Sequence, residues 1–387
     1  MPGDTPKDAY TLPGGIEPAL QLRTYYFDQT NTDGSTPSTA WALGGWIGAR
    51  TPWWGDVFQA AVIFYTSQRL YGPAGEGGTK LLQSDQAPIN VLGEVFGALR
   101  FAGQTFTAYR QLIDRPFISP QDNRMVPNVF EAYTLSGKVA DVVYTGGYIT
   151  KEKTRDTESF RWMSNVAGGT GDQAGVAFAG MTWQSEGGVR VRLDEQYGFD
   201  TYNTLYADIL WPLELAAKTR LTLGAQYYPQ TSVGAQQIGD FSTWGYGLSA
   251  ALEHGALGVQ LYWTQTGTGN ETQNPWGSHP SYLNLMQVSF NSAGEHAWGV
   301  GATLDAADWG VPGLTADVVY AQGRDRQNAS GPLPNRNETD VSVYYAFPKG
   351  SPFAGFSGAL RYSWLNQVGG VQTATQARAY LNYAVPF

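Results

Sequence analysis

Residues 376–387 read QARAYLNYAVPF, and this stretch decides the fold. Its apolar side chains fall on every second position, from Ala377 through Leu381 to Phe387. Mostly polar side chains, among them Arg378, fall on the positions between. Because successive side chains of a β-strand point to opposite faces, this alternation predicts a strand with one apolar face and one mostly polar face.

The same alternation recurs along the whole chain, in segments of about 10 to 13 residues separated by turn-like or polar connections. The pattern predicts about 18 strands and no convincing helix. The predicted strands lie near 19–28, 40–51, 56–67, 90–101, 104–112, 129–138, 140–151, 174–185, 187–197, 202–213, 219–228, 242–253, 257–264, 296–307, 313–323, 338–347, 355–366 and 376–387.

Short and long connections alternate along this series. The short ones, such as 101–104, contain Gly and are typical of hairpin turns. The long ones, such as 67–89 and 113–128, are polar. Turns at one rim and loops at the other predict an up-and-down antiparallel barrel. We expect a single domain over residues 1–387 that begins with a tail at 1–16.

Strand length and aromatic placement favour a membrane barrel over a soluble sandwich. A transmembrane strand needs about 9–11 residues, whereas globular strands most often have about 5–6. The predicted strands match the longer class. Aromatic residues also gather near segment ends, as at Trp53, Trp54 and Trp309, where amphipathic rings would lie at the membrane interface. We therefore predict an all-β transmembrane barrel.

Composition agrees with this fold and excludes several other classes. Only 15% of the residues are charged, against roughly 25% in an average soluble domain. No uninterrupted apolar stretch approaches the ~20 residues of a transmembrane helix. The chain has no Cys and its 3 His are scattered, so we expect no disulfide, metal site or cofactor. An isoelectric point near 4.9 argues against a nucleic-acid partner.

Several stretches resemble one family of porins. They are LRTYYF at 22–27, TAWALGGWIGA at 39–49, GVPGLT with the following VVY and GRD at 310–325, and YLNYAVPF at 380–387. On these residues essentially the whole chain resembles the OprD-type porins. The resemblance implies an 18-stranded outer-membrane channel with extracellular loops folded into the pore and a narrow eyelet. It also implies a ladder of lumenal Arg or Lys that guides small carboxylate-bearing solutes.

The resemblance further implies the surroundings of the protein. We expect it in the bacterial outer membrane, in contact with lipid and lipopolysaccharide, as a monomer or a weak trimer. The start of the chain lacks the features of a secretory signal, so the sequence would be the mature form. A terminal aromatic is the assembly signal of most bacterial outer-membrane barrels, so Phe387 would be recognised by the barrel-assembly machinery. The solutes would be small anions or zwitterions.

Five Arg side chains are predicted to form a basic ladder inside the barrel. If Leu360 and Tyr362 face lipid, for example, Arg361 between them faces the lumen. A lipid-facing Arg near the bilayer midplane would cost roughly 2–4 kcal/mol, which supports the inward assignment. Because the last strand of a closed meander pairs with the first, most of these residues would share one wall. The ladder comprises Arg23, Arg50, Arg100, Arg361 and Arg378.

Other inward-facing charges predict an electric field across the pore. A second basic group comprises Arg190, Arg192 and Arg220. An acidic wall, expected across the lumen from the ladder, comprises Asp208, Asp305, Asp317 and Asp340. Opposed walls of this kind would orient the dipole of a passing solute. The alternative is that the Arg side chains only pair with loop carboxylates and water in a nonspecific pore.

The segment 113–128 is predicted to narrow the pore, because it follows the fifth strand and has the Pro-containing turns of an ordered loop. Packing of this loop on the outer rim is the alternative. The candidate constriction residues are Arg110, Asp114, Asp122, Asn123 and Arg124. A second candidate is loop 266–295, with Asn274, Trp276, His279 and Tyr282.

A run of mixed charge occupies residues 151–161. It places Glu152, Asp156 and Glu158 among Lys and Arg residues. A divalent ion could bind such carboxylates, but we interpret the run as a solvated surface loop.

These patterns predict a channel without catalytic turnover, through which small polar solutes, above all those bearing a carboxylate, diffuse passively. Weak sites in series would favour flux, because a tight site would block it. Two other classes stay open. An outer-membrane enzyme acting on lipids would need a Ser and a His on the lipid face. A soluble carbohydrate-binding β-protein would purify without detergent.

Overall fold

The computed structural model describes residues 14–32, 34–368 and 373–384. Long antiparallel strands make up nearly all of it, and we number the 18 barrel strands β1 to β18. They are β1 (Glu17–Asn31), β2 (Ser38–Arg50), β3 (Phe58–Tyr71), β4 (Ile89–Phe101), β5 (Gln104–Gln111), β6 (Val129–Val139), β7 (Val142–Lys153), β8 (Val176–Gln184), β9 (Arg190–Gly198), β10 (Tyr202–Ala216), β11 (Thr219–Ser232), β12 (Ser242–His254), β13 (Leu257–Thr266), β14 (His296–Asp305), β15 (Leu314–Arg324), β16 (Asn335–Ala346), β17 (Phe356–Val368) and β18 (Thr373–Ala384).

The sheet closes on itself. Each strand pairs with the next one along the chain, and β18 pairs with β1 in a register that sets Ala384 opposite Gln21 and Arg378 opposite Phe27. A closed sheet has no free edge, so the strand backbone can be hydrogen-bonded without water. The predicted antiparallel barrel is confirmed, and each predicted segment coincides with one strand.

The connections separate into two rims. Short connections such as 102–103 and 217–218 lie at one end of the barrel, which we call the turn rim. The other end, the loop rim, carries the long connections. The longest of these are 72–88, 112–128, 154–175 and 267–295.

A few short elements lie outside the barrel wall. They are the two-residue strand Arg161–Trp162 beside the end of β7, the helical turns Met163–Val166 and Ala306–Trp309, and the small hairpin of Gln327–Asn328 with Gly331–Pro332. No helix among the described residues is long and apolar enough to cross a membrane. Phe387 and residues 1–13 of the predicted tail lie outside the described residues.

The outward face of the wall is apolar along every strand. In β13, for example, Val259, Leu261 and Trp263 are all exposed, Leu261 to 57%. The alternate residue Thr264 is buried inside the barrel. An apolar surface that encircles a protein in this way fits lipid rather than water.

Two glycines let β2 approach its neighbours closely. A Cβ on Gly45 would collide with the backbone carbonyl of Gln21 in β1, and a φ of +127° at Gly45 is unfavourable for residues with a side chain. A Cβ on Gly44 would collide in the same way with Thr66 of β3. Close packing of β1, β2 and β3 therefore requires these glycines.

Loops fill much of the lumen below the loop rim. Leu82 of loop 72–88 and Val126 of loop 112–128 belong to one buried apolar cluster with Tyr65 of β3. All three side chains are almost fully buried. The predicted inward folding of the loops is therefore confirmed.

The assignment of faces leads to a stability prediction. Leu261→Arg is expected to destabilise the folded barrel by about 2–4 kcal/mol, because the side chain would enter hydrocarbon at the middle of β13. Gln260→Arg, at the neighbouring lumen-facing position, should cost less than about 1 kcal/mol. Urea titration of folding into lipid vesicles measures both values. Equal costs for the two variants would contradict the assigned faces.

Candidate functional site

Loop 112–128 crosses the lumen between two ion pairs. At one end, Arg23 of β1 donates to the carboxylate of Asp122 at 2.7 Å. At the other end, Nε of Arg115 donates to Oδ1 of Asp194 in β9 at 2.6 Å. Since β1 and β9 lie on opposite sides of the strand ring, the loop spans the pore.

Aromatic packing joins this loop to loop 267–295. Phe117 of the crossing loop is fully buried. Its ring lies edge-on to Tyr228 and to His279, each with a centroid separation of 5.4 Å. The two loops therefore pack against each other inside the barrel.

His279 is held in its neutral form. Its Nδ1 accepts a hydrogen bond from the backbone N–H of Ser281 at 3.1 Å, which leaves the Nε2 proton for Thr272 Oγ1 at 2.6 Å. Burial lowers the pKa of His279 to about 3. The imidazole therefore adds no positive charge to the pore near neutral pH.

Loop 267–295 presses a tight turn, residues 285–288, against the barrel wall. Within the turn, the N–H of Leu285 donates to the carbonyl of Val288 at 3.0 Å. The carbonyl of Met286 accepts from Nη2 of Arg378 at 2.6 Å. The turn thus lies beside one of the predicted ladder residues.

A cavity of about 540 Å³ lies between these loops and the wall. Small-molecule sites commonly have volumes of about 300–1,000 Å³. The basic side chains that line the cavity are Lys80, Arg124, Arg155, Arg361 and Arg378. The carboxylates that line it are Asp317 and Asp340.

Of the two loop arginines of this cavity, Arg124 is buried and Arg155 is half-buried, but both stay charged. Burial lowers the pKa of Arg124 to about 10 and that of Arg155 to about 10. Nε of Arg124 donates to the carbonyl of Thr79 at 2.9 Å, and Arg155 donates to Asn123. Both guanidinium groups therefore carry a positive charge at neutral pH.

Three of the five predicted ladder residues lie at or near this cavity. Arg361 and Arg378 are opposite each other in the register of β17 and β18, and both line the cavity. Arg23 precedes Phe27, the register partner of Arg378, by four residues. At ~3.3 Å per residue, Arg23 is about 13 Å nearer the turn rim along the strands.

The other two ladder residues lie near the turn rim, outside the cavity. Arg50 is the last residue of β2, and its Nη2 lies 3.6 Å from the carboxylate of Glu94. Arg100 is ion-paired with Asp56 and stacks over Trp53 at 4.0 Å. The ladder residues are therefore distributed along the length of the pore, and Arg100 at the turn rim is already paired with Asp56.

The predicted position of the acidic wall is wrong for three of its four members. Asp317 in β15 and Asp340 in β16 lie beside the ladder, because these strands directly precede β17 in the ring. Asp305 is exposed at the turn rim, where it accepts from the N–H of Ala307 at 3.0 Å. Alternation identifies the face of a residue, but its position around the ring depends on strand order.

The second basic group is also divided. Arg190 is ion-paired with Asp208 at 3.2 Å, and Arg192 is the register partner of the same aspartate. Asp208 does lie across from the ladder, but these two arginines offset its charge. Arg220 is exposed at the turn rim and pairs with Glu214 at 2.6 Å.

The candidate constriction residues of the crossing loop lie in different surroundings. The structure brings together Asp122, Asn123 and Arg124. Arg110 does not line the cavity, because a left-handed φ of +87° at Tyr109 interrupts the alternation of β5. Arg110 instead pairs with Glu131 at 3.1 Å. Asp114 is exposed and does not line the cavity either.

Loop 267–295 contributes three of its four candidates to the cavity, namely Asn274, His279 and Tyr282. Trp276 is instead fully buried. Its ring is stacked on Tyr202 at a centroid distance of 5.0 Å, and its Nε1 donates to the carbonyl of Met163. Trp276 therefore anchors the loop rather than lining the pore.

The mixed-charge run is not a solvated surface as predicted. Glu152 and Lys153 are fully buried, and Arg155 lines the cavity. Loops cover the end of β7, which alternation along the strand cannot reveal. Arg155 and Lys80 both line the cavity. Sequence analysis missed them as site residues because alternation along a strand gives no information about the course of a long loop.

Sequence analysis also missed Arg336 and Glu338, although the sequence carried a signal for both. Arg336, Glu338 and Asp340 alternate along the loop-rim half of β16. The inward face of a membrane barrel is polar, and three charges of opposite sign within five residues of it are candidates for binding an inward-folded loop. This pattern could have indicated that β16 receives a loop.

Neutral His279 makes the stability of the loop packing pH-dependent. Its folded pKa lies below the ordinary value of 6.5, so its contribution is complete above pH 6.5 and declines as the pH falls toward 3. Between pH 7.5 and 5, the wild type should lose about 2 kcal/mol more than His279→Gln, which cannot be protonated. Urea unfolding at both pH values measures the difference. Parallel losses in the two proteins would contradict a buried neutral imidazole.

The chain matches known porins over most of its length. A model of the family described as "outer membrane porin, OprD family" matches residues 15–387. Porin D of Pseudomonas aeruginosa is 24% identical over 381 residues, covering 89% of this chain and 84% of that protein.

Solved structures share the fold. OccK9 of Pseudomonas aeruginosa has a TM-score of 0.87 at 19% identity, over 95% of this chain and 98% of the other. A BenF-like porin from Pseudomonas fluorescens Pf-5 has a TM-score of 0.88 at 18% identity, over 96% and 98%. OpdK of Pseudomonas aeruginosa, solved with vanillate, has a TM-score of 0.85 at 19% identity, over 96% and 98%. The chain therefore belongs to the OprD family of outer membrane porins, the substrate-specific channels of the bacterial outer membrane.

Proposed function

We propose that this porin selects small solutes that bear a carboxylate. The observation that carries the proposal is the charge of the cavity. Five basic side chains and two carboxylates line it, which leaves an excess of three positive charges (5 − 2 = 3). A solute that crosses the barrel passes this cavity where the two inward loops narrow the lumen.

Arg361 is the cation best placed to bind a passing anion. Its Nε donates to Ser342 Oγ at 3.1 Å. Within the described part of the chain, its two terminal nitrogens make no hydrogen bond or ion pair. A guanidinium with two free terminal nitrogens can bind a carboxylate through two parallel hydrogen bonds.

The other ladder residues suit a path of weak sites rather than one tight site. Arg378 already donates to Met286, and Arg23 to Asp122, so each would offer a solute only part of its hydrogen-bonding capacity. Arg50 has a carboxylate neighbour, Glu94, at 3.6 Å. Partial engagement lowers the affinity of each site, which favours transfer from one site to the next.

The carboxylates beside the ladder restrict the solute further. Asp317 and Asp340 lie on the strands just before Arg361, so a solute at this arginine also meets negative charge. Small monocarboxylates and zwitterions would fit this arrangement better than compounds with several carboxylates, because like charges repel at close range. Vanillate, present in the solved OpdK structure, is an aromatic monocarboxylate.

Removal of the Arg361 charge should reduce selectivity for anions. In Arg361→Gln, the reversal potential in a salt gradient should move toward that of a cation-preferring pore. Uptake of a monocarboxylate into liposomes should fall about fivefold, since the lost interaction is worth about 1 kcal/mol in a wet pore.

Arg220→Gln is the matched control, because Arg220 is also an inward-side arginine of the barrel but lies exposed at the turn rim. It should leave both measurements nearly unchanged. Equal effects of the two substitutions, or no effect of Arg361→Gln, would refute carboxylate selection at the cavity and leave the channel assignment intact.

A further inference from the structure

The inward face of β16 holds loop 267–295 in place with three successive charges. Near the base of the loop, Arg336 donates to the fully buried carboxylate of Glu295 at 2.7 and 2.9 Å. Two and four residues further along the same face, Glu338 and Asp340 contact the tip of the loop. The strand therefore binds loop 267–295 at two places, with Arg336 at the base of the loop and Glu338 and Asp340 at its tip.

The contact at the tip consists of carboxylates and backbone N–H groups. Glu338 Oε1 accepts from Gln287 at 2.7 Å, and its Oε2 accepts from Val288 at 3.0 Å. Asp340 Oδ2 accepts from Met286 at 2.9 Å. Three consecutive backbone N–H groups thus donate to the carboxyl groups of two side chains on one inward face.

The side chain of Gln287 extends the contact to the next two strands. Its Nε2 donates to Ser363 Oγ of β17 at 2.8 Å and to the carbonyl of Ala374 in β18 at 3.3 Å. The carbonyl of Met286 accepts from Arg378 of β18. The tip is therefore tied to β16, β17 and β18 at once.

Glu338 cannot meet a solute itself. It is fully buried, it does not line the cavity, and both of its oxygens are occupied by the loop. The tip that it holds does line the cavity, through Met286, Gln287 and Val288. Any effect of Glu338 on transport must therefore pass through the position of this turn.

We propose that Glu338, assisted by Asp340, is a positioning residue that determines the width of the pore by clamping turn 285–288 against the wall. The clamp keeps the turn out of the path of the solute and fixes the carbonyl that orients Arg378. It acts whatever solute the channel selects, so it does not depend on the proposed carboxylate preference.

Glu338→Gln is the sharpest test, because it keeps the shape of the side chain but replaces one acceptor with an NH₂ group that would face an N–H donor. In planar bilayers, the released turn should move into and out of the pore. The fraction of time spent in conductance levels other than that of the wild type should rise at least about tenfold, as expected when a buried N–H group loses its acceptor. Glu214→Gln, at an exposed carboxylate of the turn rim, is the control and should behave as the wild type.

A chemical cross-link separates positioning from general damage to the fold. The chain has no Cys, so Gln287→Cys with Ser363→Cys introduces a unique pair at a site of direct contact. In the Glu338→Gln background, a short bis-methanethiosulfonate, which bridges the two thiols through disulfides and releases methanesulfinate, should restore the single conductance level. Reductive release of the bridge should abolish it again.

The proposal fails if Glu338→Gln conducts as the wild type, or if bridging the thiols does not restore the single level. If Glu338→Gln does not insert, Val288→Pro tests the clamp from the loop side, since it removes the backbone N–H that donates to Glu338 Oε2 and leaves the wall unchanged. It should then show the same additional levels. Wild-type recordings from Val288→Pro would overturn the proposal.

Discussion

The structure depends on closure of the hydrogen-bonded strand ladder. A chain in lipid must satisfy its backbone donors and acceptors internally, and a barrel does so only when the first and last strands pair. Here β18 pairs with β1 from Gln21 opposite Ala384 to Asn31 opposite Ala374. This seam also places Arg361, Arg378 and Arg23 on neighbouring strands, so the basic wall is a direct consequence of closure.

Closure confines the charged side chains of the wall to the interior, where several of them bind the inward-folded loops. Arg23 and Asp194 hold the two ends of loop 112–128, while Arg336 and Glu338 hold loop 267–295. Buried ion pairs and buried hydrogen bonds of this kind are costly to break one partner at a time. The side chains that give the pore its charge therefore also hold the loops that narrow it. In the proposed function, the positive charge that remains near Arg361 acts on a passing solute.

Of the three classes that the sequence left open, membership in the OprD family selects the channel. The family resemblance, the outer-membrane location and the barrel predicted from sequence are all confirmed. The basic ladder also follows from alternation as far as its inward face is concerned. Alternation does not predict which ladder residues are already paired. Among the described residues the terminal nitrogens of Arg361 have no partner, whereas Arg100 is paired with Asp56 at the turn rim.

The sequence by itself determined the number of strands, their approximate limits and the faces of most of their residues, because a strand in lipid must alternate apolar and polar residues along its own length. Only the tertiary structure decided which charges meet. Asp317 and Asp340 are beside the ladder rather than across from it, since position around the ring depends on strand order. Arg155 lines the cavity from one long loop, and Glu338 of β16 holds another in place. The course of both loops depends on packing between residues far apart in the chain.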